Sequence, residues 1–140
     1  MWLKLASQHE SYDAMRWGWA PDASQSWRQH FVDSLDKNET ILLVAGKDGD
    51  RLIGFLMGSI GPTAPSMKIR LRGEVSDMFV EPEFRDQGIG HRLLQSAMEI
   101  MKTKGAGYVI LYVAQANEAA HRFYESMEMN VIVNQMFKPL

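Results

Sequence analysis

Two glycines close behind an arginine separate an apolar segment from an amphipathic one, in the run Arg85-Asp86-Gln87-Gly88-Ile89-Gly90. Glycine has no Cβ and adopts positive φ readily, so a backbone containing Gly88 and Gly90 can pass close to a ligand. The first N–H groups of the following helix lack partners within the helix and carry the positive end of its dipole. Such a turn favours an anion such as phosphate or pyrophosphate, and Arg85 can add charge-assisted hydrogen bonds.

This turn differs from the common nucleotide-binding motifs. Arg85 holds the place of the first glycine in the dinucleotide fingerprint, and no Gly-Lys-Ser/Thr follows to complete a phosphate-binding loop of the NTPase kind. A glycine pair before a helix also fits an ordinary loop-to-helix turn that binds nothing. The turn by itself therefore leaves both interpretations open.

Polar side chains interrupt the apolar segment that precedes the turn, at Glu74, Ser76 and Asp77. Strand alternation places Glu74 and Ser76 on one face and Asp77 on the other, unless a bulge intervenes. A second polar group lies further along the chain, where Asn117 precedes an amphipathic segment that carries Phe123 and Tyr124. Asn117 is a good N-cap for that helix.

Hydrophobic spacing predicts the elements that must position these residues. The predicted elements are a strand at 2–6, a helix from Ser7, a helix from Ser24 or Ser26 to Leu35, strands at 40–45 and 51–60 joined by a hairpin loop at 46–50, a strand at 67–80, a helix at 88–104, a strand at 108–113, a helix from Asn117 and a strand at 130–137. The continuously apolar strand at 108–113 is expected to be covered on both faces and parallel to the strand before it. The order predicts an α/β (α+β) fold with a mixed twisted sheet and helices on both faces.

Composition limits the class of protein. The chain has 140 residues, 46% of them hydrophobic and 23% charged, with a net charge of −2 and no cysteine. We expect a single domain over residues 1–140, cytoplasmic, without disulfides and with no nucleic-acid or membrane partner. The four histidines, His9, His30, His91 and His121, show no metal-ligand spacing, so no metal is predicted.

The residues around the turn carry a resemblance to a known family. They match the pattern V-x-P-x-[YF]-R-x-x-G-I-G-x-x-L-L through Val80, Pro82, Phe84, Arg85, Gly88, Ile89, Gly90, Leu93 and Leu94. This pattern resembles the acetyl-CoA-binding motif of the GNAT superfamily of N-acetyltransferases, whose element order is also that predicted for nearly the whole chain. The resemblance implies transfer of an acetyl group from acetyl-CoA, as co-substrate, to a primary amine of a small molecule or peptide by direct attack.

The resemblance also implies where acetyl-CoA binds. The pantetheine arm would lie between the strands at 75–80 and 108–113, the pyrophosphate would sit on the turn, and N–H groups near Phe79 and Val80 would face the thioester carbonyl, where attack creates negative charge. The residues that it implies for cofactor binding are Met78, Phe79, Val80, Arg85, Asp86, Gln87, Gly88, Ile89, Gly90, His91, Asn117 and Phe123.

Catalytic roles follow from the same resemblance. Glu74 matches the glutamate base of the histone-acetylating branch, and Tyr124 matches the usual acid that protonates the leaving thiolate. Small-molecule members carry Glu-Asp where this chain has Ser76-Asp77, so Asp77 and Ser76, together with Trp19, are predicted to contact the acceptor. Glu74 can alternatively be a solvated strand residue, and Tyr124 a core aromatic with a satisfied hydroxyl.

Two departures from the family pattern are visible. Glu128 and Met129 stand where the family has a glycine and an aromatic residue, and a non-glycine residue is strained there if it adopts αL. Only residues 130–140 follow, enough for one strand where the family has two, so an exposed sheet edge that pairs with a second subunit as a homodimer is expected. A non-catalytic acyl-CoA-binding module of the same fold is the alternative function, and the acceptor is not specified by the sequence.

Overall fold

The computed structural model describes residues 1–139, and a mixed four-stranded sheet lies at its centre. The strands are β1 (Thr40–Lys47), β2 (Arg51–Pro62), β3 (Leu71–Val80) and β4 (Val109–Leu111), in that order across the sheet. β1, β2 and β3 are antiparallel neighbours, whereas β3 and β4 run parallel. The predicted hairpin between β1 and β2 and the parallel crossover before β4 are therefore confirmed.

Within the described residues, five helices and one short 3₁₀ turn surround the sheet. The helices are α1 (Trp2–Tyr12), α2 (Ala14–Trp17), α3 (Ala23–Ser34), α4 (Ile89–Thr103) and α5 (Glu118–Ser126), and the 3₁₀ turn is Pro82–Phe84. The fold is α/β with helices on both faces of a mixed sheet, as predicted. None of the helices within residues 1–139 has the length and apolar character needed to cross a membrane.

The two sheet faces have separate apolar clusters. The larger cluster lies between the sheet and α4, where Leu94, Ala97 and Met101 are completely buried at the spacing of one helical stripe. A Cβ at residue 73 would overlap the Met101 sulfur, so glycine is required where α4 approaches β3. The smaller cluster lies on the opposite face, where Leu5 of α1 packs with Phe55 and Phe79.

The first element differs from the prediction, since residues 2–6 begin a helix and not a strand. Trp2, Leu5 and His9 recur at helical spacing, but over five residues the alternation of polar and apolar side chains fits a strand equally well. The helix gains its stability from tertiary packing: Trp2 stacks on Trp27 of α3 with ring centroids 5.0 Å apart, and Leu5 is buried. Ser7 consequently lies within α1 and is not its N-cap.

Smaller differences concern element ends. β3 begins at Leu71 and not at residue 67, and Asp22 precedes α3 where Ser24 or Ser26 was predicted. β4 is only three residues long and half-buried, so the prediction that both of its faces are covered is wrong. The strand predicted at 130–137 is also wrong, because residues 130–139 have no regular structure and are exposed to solvent.

Candidate active site

A β-bulge in β3 marks the start of a cleft. The pairing of β2 with β3 shifts between Met57 and Gly58, so that Met57 pairs with Asp77 and Gly58 pairs with Val75, leaving Ser76 as the extra residue. The parallel pairing of β3 with β4 ends at the same point, with Val75 opposite Leu111. β4 ends there, and residues 112–116 make no backbone hydrogen bond to residues 76–80, so the second half of β3 has a free edge.

That free edge presents backbone groups to the cleft. The Glu81 N–H donates to the Ile53 carbonyl at 2.9 Å, so Glu81 and Ile53 form a hydrogen-bonded pair that extends the β2–β3 ladder. Hydrogen-bonded and non-hydrogen-bonded pairs alternate along an antiparallel ladder. The N–H and C=O groups of Met78 and Val80 therefore point away from β2 and into the cleft, whereas those of Phe79 point toward β2.

The glycine turn closes one end of the cleft. Asp86 and Gly88 both have positive φ, of 60° and 73°, and Gly88 immediately precedes the first residue of α4. The Arg85 Nε donates to the Val80 carbonyl at 3.0 Å, and its guanidinium lies 5.6 Å from the centre of the Phe79 ring. The turn therefore directs the free N–H groups of α4 toward the cleft, with Arg85 held beside them.

Helix α5 forms another wall of the cleft. The Asn117 side chain accepts a hydrogen bond from the Ala120 N–H at 3.1 Å, which confirms it as the N-cap. Gly90 of α4 lies against the Phe123 ring, where a Cβ would meet the ring carbons at 3.4 Å. The neighbouring Tyr124 packs edge-on to Phe123 with ring centroids 5.1 Å apart, and burial raises the pKa of its hydroxyl to about 12.

The cleft has a volume of about 460 Å³, and it brings together side chains from α1, β3, the glycine turn, α4 and α5. Of the residues predicted to bind cofactor or acceptor, or to act in catalysis, those that line it are Ser76, Asp77, Met78, Phe79, Val80, Arg85, Asp86, Gly88, Ile89, Gly90, His91, Asn117, Phe123 and Tyr124. Their convergence from separate parts of the chain is a property of the fold.

Three predicted site residues lie elsewhere. Glu74 accepts a hydrogen bond from the Arg72 guanidinium at 3.3 Å and is not part of the cleft wall. The Gln87 side chain turns back to donate to the Glu83 carbonyl. The Trp19 indole donates to the Ala6 carbonyl at 3.0 Å and packs edge-on to Trp2, which is a structural role. Their functional roles stay predictions.

The end of the cleft away from the turn has two titratable groups that influence each other. Burial lowers the pKa of His9, an effect that the charge of Asp77 partly offsets. Burial raises the pKa of Asp77, although the Ser76 hydroxyl, the positive charges of His9 and His30, and the Trp2 indole each lower it in part. The His9 ring also packs against the Trp17 ring in a tilted arrangement, with ring centroids 4.9 Å apart.

Residues of α1 are the part of this site that the sequence reasoning missed. Leu5, Gln8 and His9 line the cleft at the i, i+3, i+4 spacing of a single helical face. That spacing could have indicated a helical face at the site, but predicting a strand at residues 2–6 assigned Leu5 to a different element from Gln8 and His9.

Known proteins share this architecture. Residues 5–129 match the profile of the acetyltransferase (GNAT) family, and the chain belongs to that family. An uncharacterized N-acetyltransferase of Archaeoglobus fulgidus is 28% identical over 120 residues, which cover 86% of this chain and 80% of that protein. The family assignment makes the protein an acyltransferase, and it confirms the resemblance seen in the sequence.

Solved structures show the same fold at lower identity. The BH1408 protein of Bacillus halodurans, in a tetramutant form, aligns with a TM-score of 0.84 and 21% identity, covering 99% of this chain and 88% of that one. An aminoglycoside 6'-N-acetyltransferase of Acinetobacter haemolyticus, solved without ligand, aligns with a TM-score of 0.72 and 17% identity, covering 96% of this chain and 92% of that one.

Proposed function

We propose that this protein is an N-acetyltransferase that moves an acetyl group from acetyl-CoA to a primary amine by direct attack. The observation that carries the proposal is the cleft between β3 and β4, which has the glycine turn at one end and Tyr124 on its wall. The names of an N-acetyltransferase relative and of a structural neighbour that acetylates aminoglycosides are consistent with an amine acceptor.

The cleft suits an acyl-CoA molecule in three respects. The turn at Gly88 offers unpartnered helix N–H groups and Arg85 to a pyrophosphate. The free edge of β3 offers the N–H and C=O groups of Met78 to an extended pantetheine amide, as a neighbouring strand would use them. The Val80 N–H faces the same space and can stabilise the oxyanion that forms when the amine attacks the thioester.

Tyr124 acts on the sulfur of the leaving group in this proposal. A hydroxyl with a pKa of about 12 stays protonated at neutral pH. It also holds its proton more tightly than an ordinary thiol, whose pKa is about 8.5. Tyr124 therefore stabilises the departing thiolate by donating a hydrogen bond, and the proton that finally neutralises the sulfur can come from the attacking nitrogen.

Thermal unfolding with acetyl-CoA, desulfo-CoA and ATP tests the binding part. A ligand that binds only the folded state raises Tm, so both CoA compounds should raise it at millimolar concentration and ATP should not. Release of free CoA in the presence of an amine tests the chemistry. A Tm shift without any amine-dependent release would favour the non-catalytic acyl-CoA-binding module, and no shift with either CoA compound would reject the proposal.

We also propose that the C-terminal segment pairs with a second copy of the chain. Val131, Ile132 and Val133 are exposed by 66%, 80% and 77%, although their residue types favour a strand. β4 is an edge strand of the sheet, and Tyr112, which follows it in the chain, is exposed by 68%. A dimer should appear in sedimentation velocity and dissociate in the variant Ile132→Asp, whereas a wild-type monomer at high concentration would reject this pairing.

A further inference from the structure

His9 and Asp77 both line the cleft, and neither side chain takes part in the acyl-CoA binding proposed above. Both side chains line the cleft, one from α1 and the other from β3, and Gln8 stands beside them. The bulge at Ser76 turns Asp77 to the face covered by α1, where it lies close enough to His9 for each side chain to affect the ionisation of the other. An ionisable pair thus faces the position from which an acceptor would approach the thioester.

We propose that His9 and Asp77 form the acceptor site, in which Asp77 binds the amine as an ammonium ion and His9 removes its proton. This inference rests on the proposed acetyl-CoA function, and it assigns the proton acceptor to a residue of α1. The predicted base Glu74 lies outside the cleft wall and is engaged by Arg72. His9 therefore has the better position of the two.

The proton balance of the reaction fits this pair. The ammonium gives one proton to the neutral His9 ring, and its nitrogen then forms a bond to the acetyl carbonyl carbon. The carbon–sulfur bond breaks, the thiolate leaves, and the second nitrogen proton neutralises it beside the Tyr124 hydroxyl. His9 returns its proton to solvent through the open cleft. The products are the acetamide, free CoA and one proton, so no further reactant is needed.

The surroundings of the pair favour these roles. Burial lowers the pKa of His9, so the ring is neutral and able to accept a proton at neutral pH. His30 of α3 is the second histidine near Asp77, and the aromatic rings of Trp2 and Trp17 lie on the α1 side. The same desolvation that affects His9 also disfavours the charge of a bound ammonium, which eases its deprotonation.

The charges at this end of the cleft define a class of acceptor. Among the described residues that line the cleft, Arg85 is the one lysine or arginine. It lies at the turn, where its Nε donates a hydrogen bond to the Val80 carbonyl. The acceptor end of the cleft can therefore bind a cationic acceptor through the Asp77 carboxylate. Within residues 1–139, it has no lysine or arginine that could pair with a carboxylate on the acceptor. An amine without a neighbouring carboxylate should be preferred over the corresponding amino acid, because the carboxylate would face Asp77 unpaired.

Matched pairs of acceptors test this class directly. Acetyl transfer to 2-phenylethylamine and phenylalanine, and to histamine and histidine, should favour the amine over its amino acid by at least tenfold in kcat/KM. Asp77→Asn should raise KM for the amine and reduce that preference. Equal or greater rates with the amino acids, or no transfer to either amine while acetyl-CoA still raises Tm, would overturn the acceptor site and leave the acyl-CoA assignment intact.

Chemical rescue tests the role of His9. His9→Ala should reduce kcat about 100-fold, as removal of a general base does, and millimolar imidazole should restore part of the loss while the Tm shift with acetyl-CoA is retained. His30→Ala is the matched control, since His30 is near Asp77 but outside the cleft wall, and it should keep kcat within twofold of wild type. A His9→Ala enzyme with undiminished kcat, or a loss that imidazole does not relieve, would overturn the assignment.

Discussion

Glu74 and Asp77 point to the same face of β3, although they are three positions apart in the sequence. Gly73 and Val75 face α4, and after the bulge at Ser76 the side chain of Met78 faces α4 again. Glu74 and Asp77 consequently both lie on the opposite face, toward α1. Regular alternation would place Asp77 on the face opposite Glu74, toward α4. The bulge therefore turns the Asp77 carboxylate toward α1 and the cleft.

Replacing Glu74 discriminates between two candidate bases. With His9 as the proton acceptor, Glu74→Gln should keep kcat within about threefold of wild type across pH 6.5–9.5, because its present partner is Arg72. The measurement is a pH profile of kcat for both proteins. A loss of about 100-fold near neutrality that shrinks at high pH, as removal of a base predicts, would instead assign the base to Glu74.

Replacing Asp77 should make the protein more stable and less active. Burial raises the pKa of Asp77 above its ordinary value of 3.8, so folding favours the protonated form. The protein therefore gains stability at low pH, where Asp77 is protonated, and loses it as the pH rises through the folded-state pKa of Asp77. Asp77→Asn should therefore have a higher Tm than wild type at pH 7.5, and the difference should narrow toward pH 4.5. A lower Tm at pH 7.5 would contradict the inferred cost of the buried charge.

The lowered pKa of His9 predicts that the protein becomes less stable at mildly acidic pH. Burial lowers its pKa below the ordinary value of 6.5, so the unfolded chain binds more protons than the folded one between the two values. Stability should fall as the pH is lowered from 7.5 to 5.5. His9→Gln should lose less stability over that interval, as measured by chemical denaturation at each pH. Parallel curves for the two proteins would show that His9 does not contribute.

Tyr124→Phe should lower kcat while acetyl-CoA affinity stays near that of wild type. Loss of a hydrogen bond to a charged group corresponds to about 10- to 100-fold in rate. Because the hydroxyl has a pKa of about 12, kcat of the wild type should not decline through ionisation of Tyr124 at any pH below about 11. An unchanged kcat in the variant would assign Tyr124 to packing alone.

Glu128 stores backbone strain at the end of α5. Its φ is 61°, in the left-handed region that costs a non-glycine residue about 1 kcal/mol or more. Glu128→Gly should therefore raise the free energy of unfolding by about 1 kcal/mol and Tm by roughly 3 °C. Glu125→Gly, the same change inside α5, should lower stability by about 1 kcal/mol. Equal destabilisation by both changes would argue against strain at Glu128.

The sequence determined the parts of the protein that depend on local chemistry. The stripe of apolar residues on α4, the hairpin between β1 and β2, the Asn117 cap and the glycine turn all follow from side-chain spacing and backbone preference, which act over a few residues. The motif around Gly88 and Gly90 also identified the family from the residues alone.

Tertiary structure decided what short segments could not. Residues 2–6 fit either a strand or a helix, and packing of Trp2 on Trp27 selects the helix that brings His9 to the cleft. Pairing with β2 creates the bulge at Ser76, which no local preference reveals, and the bulge turns Asp77 toward His9. Contacts between distant segments set both outcomes, because the register of a strand and the choice between two periodicities are decided by the partner surface.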